Sequence, residues 1–241
     1  MEAINIKNLT KKYKDIVAVD NLSLTVFKGE LFSLLGVNGA GKTTTIKMLS
    51  CLTQPTSGDA YLNGKSVCLQ ASEVKKLIAV SPQETAIARG LSVKENLELI
   101  SGVYGFSKEK QHKKISELTN LLGLDSVINK KAGKLSGGWQ RRLSIAMALI
   151  SEPQILFLDE PTLGLDVLAR SELWDIIRAL KSKITIILTT HYMEEAEALS
   201  DRIAIMKDGK LIICDTSQQI KEIAGTDNFE QAFIHIVKEA K

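Results

Sequence analysis

Residues 36–43, GVNGAGKT, follow the apolar run LFSLL and precede TTIKMLSCL, whose apolar residues recur at helical spacing. Few folds can accept that order. A short strand without polar alternation must be buried on both faces, which calls for a mainly parallel sheet covered by helices on both sides. The stretch between fits G-x-x-x-x-G-K-S/T, a phosphate loop when a strand runs into it and a helix leaves it. The glycines let successive backbone N–H groups turn inward around phosphate oxygens, and the positive end of the next helix points at the same charge. Gly36, Val37, Asn38, Gly39, Ala40, Gly41 and Thr44 are therefore expected to cradle a nucleotide's phosphates. Lys42 would reach the β- and γ-phosphates, and the Thr43 hydroxyl would take a Mg2+ position.

The rest of the chain supports the same α/β class. AINIKNL alternates as a strand does, and IVAVDNLSLTVFKGE stays extended to a turn at Lys28-Gly29, so an antiparallel β subdomain is expected at the N-terminus. GDAYLNGKSV reads as a hairpin on Asn63-Gly64, and LIAVSPQ as a strand ending at Ser81. From residue 84 to 151 the pattern is helical and polar without a clear strand, which implies a helical subdomain inserted into the sheet. QILFLDE, LARSELWDIIRAL, ITIILTTH and a hairpin on Asp208-Gly209 resume the strand–helix alternation. We expect one domain over 1–241, with a catalytic core at 1–83 and 152–224, the helical subdomain at 84–151 and a short C-terminal tail at 225–241.

Composition narrows the function classes. The formal charge of +3 is mild and the basic residues are spread, which argues against nucleic acid as a partner. The three cysteines, Cys51, Cys68 and Cys214, fit neither a disulfide framework nor a metal spacing, and read as small buried hydrophobes in a reducing compartment. MEAINIKNLT is not a signal segment, and the longest apolar runs fall far short of the roughly 20 residues of a membrane span. A cytosolic protein is expected, and any membrane part would come from another chain.

A second acidic element accompanies the phosphate loop. ILFLDEP places Asp159 and Glu160 at the carboxyl end of a buried strand, where α/β sheets bind ligands. Buried acids need partners or work. Asp159 is assigned to the metal, and Glu160 to orienting and deprotonating an attacking water. His191 and Gln83 end two further strands and have the same placement, though each by itself also reads as a polar loop residue. Tyr13 is a flat partner for a purine or a packing residue. In LSGGWQRR, Ser136 is an N-cap candidate, and Gly137 and Gly138 leave backbone N–H groups uncovered. That is either a second anion-binding helix end or a well-capped helix. Spacing does not decide between them.

Taken in order, GVNGAGKTT, SPQ, LSGGWQRR, ILFLDEP, LGLD and TTH resemble the nucleotide-binding subunit of ATP-binding cassette (ABC) transporters over essentially the whole chain. The most specific element is LSGGWQRR about twenty residues before ILFLDEP. The resemblance implies a P-loop NTPase fold, ATP and Mg2+ as ligands, and a head-to-tail dimer with a second copy or a homologous cassette. It implies that Ser136, Gly137 and Gly138 close over the γ-phosphate held at Lys42 of the partner copy, and that Asp166 lies on the loop crossing the interface. It also makes Tyr13 the adenine stacker, Gln83 a Mg2+ and coupling residue, His191 the γ-phosphate switch and Glu160 the hydrolytic base. Val37, Leu163 and Val167 depart from the residues common at their places, and none of the three removes a catalytic group.

The segment TTHYMEEAEALSDRIAIMKDGKLI and the ending NFEQAFIHIVKEAK resemble the branch that powers small export permeases. A separate integral membrane permease is then implied, gripped near Glu84 to Gly102, with the cassette peripheral on the inner face of the cell membrane. The alternative is a soluble cassette ATPase acting on ribosomes or DNA. Such proteins usually carry two cassettes or a long coiled coil, and the 94 residues separating Lys42 from Ser136 leave no room for such a coil.

Overall fold

The computed structural model describes residues 1–240. Two long strands, β1 (Glu2–Tyr13) and β2 (Ile16–Phe27), open the chain as an antiparallel pair. After a turn, β3 (Leu31–Leu35) is buried at every position, as its unbroken apolar sequence requires. It leads through the loop at 36–41 into α1 (Lys42–Leu49). The helix is shorter than the apolar spacing suggested. The Ser50 hydroxyl donates back to Ile46 O at 2.7 Å, and Cys51 takes a positive φ of 56° that ends the turn. A hairpin of β4 (Ser57–Leu62) and β5 (Lys65–Ser66) follows on Asn63-Gly64. Next come α2 (Ala71–Leu77), a helix too short to announce itself in the pattern, and β6 (Ile78–Ser81).

Three α-helices lie between β6 and the next strand: α3 (Val93–Val103), α4 (Lys108–Leu121) and α5 (Gly137–Leu149), the last two joined through two short 3-10 turns. Ser92 opens α3 with a capping box, accepting from Glu95 N at 3.2 Å while Glu95 Oε2 accepts from Ser92 N at 2.7 Å. The chain then alternates through β7 (Ile155–Asp159), α6 (Val167–Leu180), β8 (Thr185–Thr190), α7 (Met193–Leu199), β9 (Arg202–Lys207) and β10 (Lys210–Asp215). It ends with α8 (Ser217–Ala224) and α9 (Phe229–Glu239).

The central sheet runs in the order β10-β9-β3-β8-β7-β6, with five parallel strands and an antiparallel edge at β10. The smaller sheet, β2-β1-β4-β5, is antiparallel throughout. Apolar side chains form three clusters. The first joins the small sheet and α1 to one face of the central sheet, through Ile4, Leu22, Ile46, Phe32 and Phe157. The second joins the opposite face to α3, α4, α5 and α6, through Leu97, Leu118, Leu143, Leu156 and Ile177. The third lies under α9, where Phe229, Phe233 and Ile236 bury against Ile203, Ile205 and Ile220. The segment expected as a tail is therefore a packed helix, because one of its faces is continuously apolar.

The cysteines depart from the expectation of full burial. All three are free and only partly covered. Burial together with the Asp59 hydrogen bond and charge pushes the Cys68 thiol up to about 11, so it stays protonated at neutral pH. No helix among the described residues is long and apolar enough to cross a membrane.

Candidate active site

Parallel pairing brings four strand ends to one edge of the sheet. β3 delivers Gly36, β7 delivers Asp159 and Glu160, β8 delivers His191, and β6 delivers Gln83. An open cleft of about 630 Å3 forms there, between that edge and the tip of the small sheet. Its wall includes the loop from Asn38 to Thr44, with Tyr13, Gln83, Glu160 and His191.

The loop's shape depends on two glycines. Gly41 has φ +98°, and a Cβ there would lie 2.5 Å from Ala18 O. A Cβ on Gly36 would lie 2.4 Å from Met206 O. Gly41 occupies the N-cap of α1 and no side chain caps that end, so the first N–H groups of the helix remain for a ligand. Val37, Asn38 and Gly39 are exposed along the rim, while Gly36 and Ala40 are buried beneath it.

Lys42 is buried, and its Nζ donates to Gly36 O at 2.7 Å and Val37 O at 3.3 Å. It also lies 3.4 Å from Glu160 Oε1. The other carboxylate oxygen of Glu160 is 2.8 Å from His191 Nδ1. An ionised carboxylate only accepts, so the shared proton belongs on Nδ1, leaving Nε2 for another partner. Glu160 is thus held between an ammonium and an imidazole. Its backbone adopts φ 49°, an uncommon conformation for a residue with a side chain. His191 was expected to face a phosphate, and its partner in this structure is the carboxylate.

Thr189 organises both acids. Its hydroxyl donates to Asp159 Oδ1 at 2.5 Å and accepts from Glu160 N at 3.0 Å. Thr43 donates to the same Asp159 oxygen at 3.2 Å. Thr43 and Asp159 therefore set two hard oxygen donors side by side, the donor type that Mg2+ takes. Asp159, in the last position of β7, is nearly inaccessible, and Gln83, just past the adjacent strand β6, is exposed and lines the cleft.

Ser136, Gly137, Gly138 and Asp166 do not line this cleft. Ser136 stands at the N-cap of α5, yet its side chain caps nothing, and both Ser136 and Gly137 are exposed. Gly138 sits against α6, where a Cβ would meet the Ala169 side chain at 3.1 Å. Asp166 Oδ1 accepts from Ala169 N at 2.9 Å and so caps α6.

Arg141 was not singled out from the sequence. It is buried, donating from Nη1 to Pro82 O at 2.6 Å and from Nη2 to Gln83 O at 2.7 Å. Nη2 also lies 3.5 Å from Glu160 O. One side chain therefore joins the Ser136 helix, the turn carrying Gln83 and the turn carrying Glu160. Burial lowers its pKa, opposed chiefly by the neighbouring Asp159 carboxylate. Its spacing four and eight residues before the buried Ile145 and Leu149 was the available signal, since that period puts it on the buried face of α5.

Known proteins share this arrangement. The family model described as "ABC transporter" matches residues 19–163, more than half of the chain. The Nod factor export ATP-binding protein I of Burkholderia lata is 41% identical over 210 residues, covering 87% of this chain and 69% of that protein. The doxorubicin resistance ATP-binding protein DrrA of Mycobacterium tuberculosis is 40% identical, covering 92% and 68%. Other relatives are much longer. The chain spans 41% of the probable multidrug ABC transporter ATP-binding protein YbhF of Escherichia coli and 13% of the human phospholipid-transporting ATPase ABCA3. Among solved structures, an ATP-binding subunit of an ABC transporter superposes with a TM-score of 0.85 at 26% identity, over 97% of this chain and 99% of that one. A dimeric post-hydrolysis state of the cassette MJ0796 bound to ADP and Pi matches at 0.79 and 30% identity, over 88% and 98%. On this evidence the fold is that of a P-loop NTPase, and the chain belongs to the ABC transporter family.

Proposed function

We propose that the chain is the ATP-binding and ATP-hydrolysing unit of an export transporter, closing as a head-to-tail dimer on ATP and driving a separate membrane permease from the cytoplasmic face. The observation that carries this reading is the convergence of Lys42, Glu160 and His191 on a cleft whose phosphate loop has free N–H groups. An exposed, non-capping serine lies at the helix end outside that cleft.

The proposed roles follow from the contacts. Tyr13, at the end of β1 with its ring half exposed, would stack on the base. Lys42 would exchange Glu160 for phosphate oxygens, because a multiply charged phosphate is the stronger partner for an ammonium. Released from Lys42, the Glu160 carboxylate would orient a water and accept its proton as the water oxygen bonds to the γ-phosphorus. The bond to the β–γ bridging oxygen then breaks, leaving ADP and phosphate. His191, freed from Glu160, would contact the γ-phosphate. Thr43 and Gln83 would hold Mg2+, with Asp159 acting through water, and the ion would neutralise charge on the phosphates.

Each cleft has only one half of a site, and Ser136, Gly137 and Gly138 of the partner copy would supply the other half. Their uncovered N–H groups and the positive end of α5 suit an anion. For the permease, an apolar groove of about 360 Å3 lies between β6 and the helical segment, lined by Ile78, Ala86, Ile100, Val103, Tyr104 and Met147. Val103 and Tyr104 are 75% and 53% exposed, which suits insertion of a short helix from a membrane partner. Export is favoured by the names of the similar proteins that cover most of their own length.

The test is Glu160→Gln with ATP. Removing the base should lower turnover by about 10²-fold or more while ATP still binds. The variant should then run as a dimer with ATP and as a monomer without it. Turnover at the wild-type rate would overturn the assignment of Glu160, and a persistent monomer would overturn the closing dimer.

A further inference from the structure

Glu195, on α7, is completely buried, and the roles proposed above do not use it. Its Oε1 accepts from Trp174 Nε1 of α6 at 3.1 Å. The hydroxyls of Thr162, in the turn leaving β7, and of Thr190, the last residue of β8, face the same carboxyl. Thr162 lies two residues past Glu160, and Thr190 directly precedes His191. One carboxyl thus sits among the two chain ends that carry the paired Glu160 and His191, and the helix that follows Asp166.

The charge state follows from the surroundings. Among the described residues Glu195 forms no ion pair, and its Oε2 has no hydrogen-bond partner. Thr162 Oγ1, fully buried beside it, also lacks one. The Thr162 hydroxyl can donate or accept and so pairs with either charge state, but a fully buried carboxylate without an ion pair carries an uncompensated desolvation cost that keeping its proton removes. Thr190 Oγ1 already accepts from Tyr192 N at 2.9 Å, so its own hydrogen remains to donate. Of the charged groups that act on Glu195, Glu160 opposes ionisation and Arg141 favours it. Arg141 is occupied by three backbone carbonyls.

We propose that Glu195, as the neutral acid, is a positioning residue for hydrolysis: it clamps the turn after Glu160, the strand end before His191 and α6 into one arrangement. The inference rests on the ATP-hydrolysing reading, and deepens it by adding a residue that touches neither nucleotide nor water. Because the clamp holds hydrogen bonds rather than charge, an amide should replace it and a methyl group should not.

Three variants of the full chain test this: Glu195→Gln, Glu195→Ala and Glu195→Asp. We expect Glu195→Gln to keep kcat within about twofold of wild type, and Glu195→Ala and Glu195→Asp to lose about tenfold or more in kcat with KM for ATP little changed. If Glu195→Gln falls as far as Glu195→Ala, the carboxyl acts as an anion and the proposal is wrong. If Glu195→Ala keeps its kcat, the group is only structural and the proposal is again wrong. Should Glu195→Ala fail to fold, Glu195→Gln and Glu195→Asp still decide. A readout independent of hydrolysis is the indole Nε1–H resonance of 15N-labelled Trp174, identified by comparison with a Trp139→Phe variant. It should stay in place from about pH 4 to pH 8, because an ordinary glutamate loses its proton near the lower end of that range and a carboxyl kept neutral throughout loses none. A titration there that vanishes in Glu195→Gln would overturn the proposal even if the wild type hydrolysed no ATP, and absent hydrolysis with a constant resonance would count against the functional reading alone.

Discussion

Arg141 donates to the carbonyl oxygen of Gln83 at 2.7 Å, tying the helix that begins at Ser136 to the turn that follows β6. The second half of the guanidinium takes Pro82 O at 2.6 Å, and the flat fork fits two neighbouring carbonyls as a lysine cannot. Arg141→Ala would leave these buried carbonyls unpaired, and should cost about 2–4 kcal/mol in urea unfolding. ATP turnover should fall by about 10²-fold, because Gln83 and Glu160 both lose their tether. Arg141→Lys should land between the two. Unchanged turnover in a folded Arg141→Ala protein would show that the tether has no part in hydrolysis.

The division of the site between two copies can be tested by mixing. Lys42→Ala spoils the phosphate loop, and Ser136→Phe spoils the exposed helix end, so neither variant alone should hydrolyse ATP. Combined in equal amounts, they should recover about a quarter of the wild-type sites, since half of the dimers are mixed and each mixed dimer has one intact site. Activity measured against mixing ratio checks this. Recovery that never exceeds the sum of the separate variants would mean that Ser136 does not serve its partner's nucleotide.

Two loop glycines should respond differently to the same methyl group. Gly41→Ala imposes a side chain at φ +98° and a contact 2.5 Å from Ala18 O, whereas Gly39, at φ +85°, has no atom within 4 Å of the added carbon. Gly41→Ala should cost about 2–3 kcal/mol and Gly39→Ala about 1 kcal/mol, a difference of several degrees in melting temperature. Equal losses would mean that strain, not the collision with Ala18, sets the constraint.

The buried carboxyl of Glu195 has a pH signature. Burial raises its pKa, assisted by the charge of Glu160 and opposed by hydrogen bonds from Thr190, Thr162 and Trp174. The folded state therefore keeps a proton that the unfolded chain gives up above about pH 4, and this contribution to stability declines as pH rises through that window. Glu195→Gln has no proton to keep. Its stability relative to wild type should rise between about pH 5 and pH 8, by at most about 1.4 kcal/mol per pH unit. Urea midpoints at the two pH values measure it, and a relative stability that falls with pH would contradict the raised pKa.

How much of this was legible in advance depended on the range of the interaction. The phosphate loop is local: strand, glycines, lysine and helix start lie within about twenty contiguous residues, and their chemistry follows from backbone freedom and charge. The α/β class was equally legible, because strands buried on both faces have no polar alternation. The strand-end positions of Gln83, Glu160 and His191 could be read from where the apolar runs stop. The packing of α9 was in the pattern too, as an apolar face in a segment read as a tail. Tertiary structure alone decided which strand ends adjoin, since the order β3-β8-β7-β6 is set by pairing across the chain. It decided that Glu160 is shared by Lys42 and His191, and that Arg141 turns inward to three carbonyls. It also left Ser136 uncapped and outside the cleft. Those contacts join residues 19 to 118 positions apart. A one-dimensional pattern records which groups can bond or bury, and folding decides which of them meet.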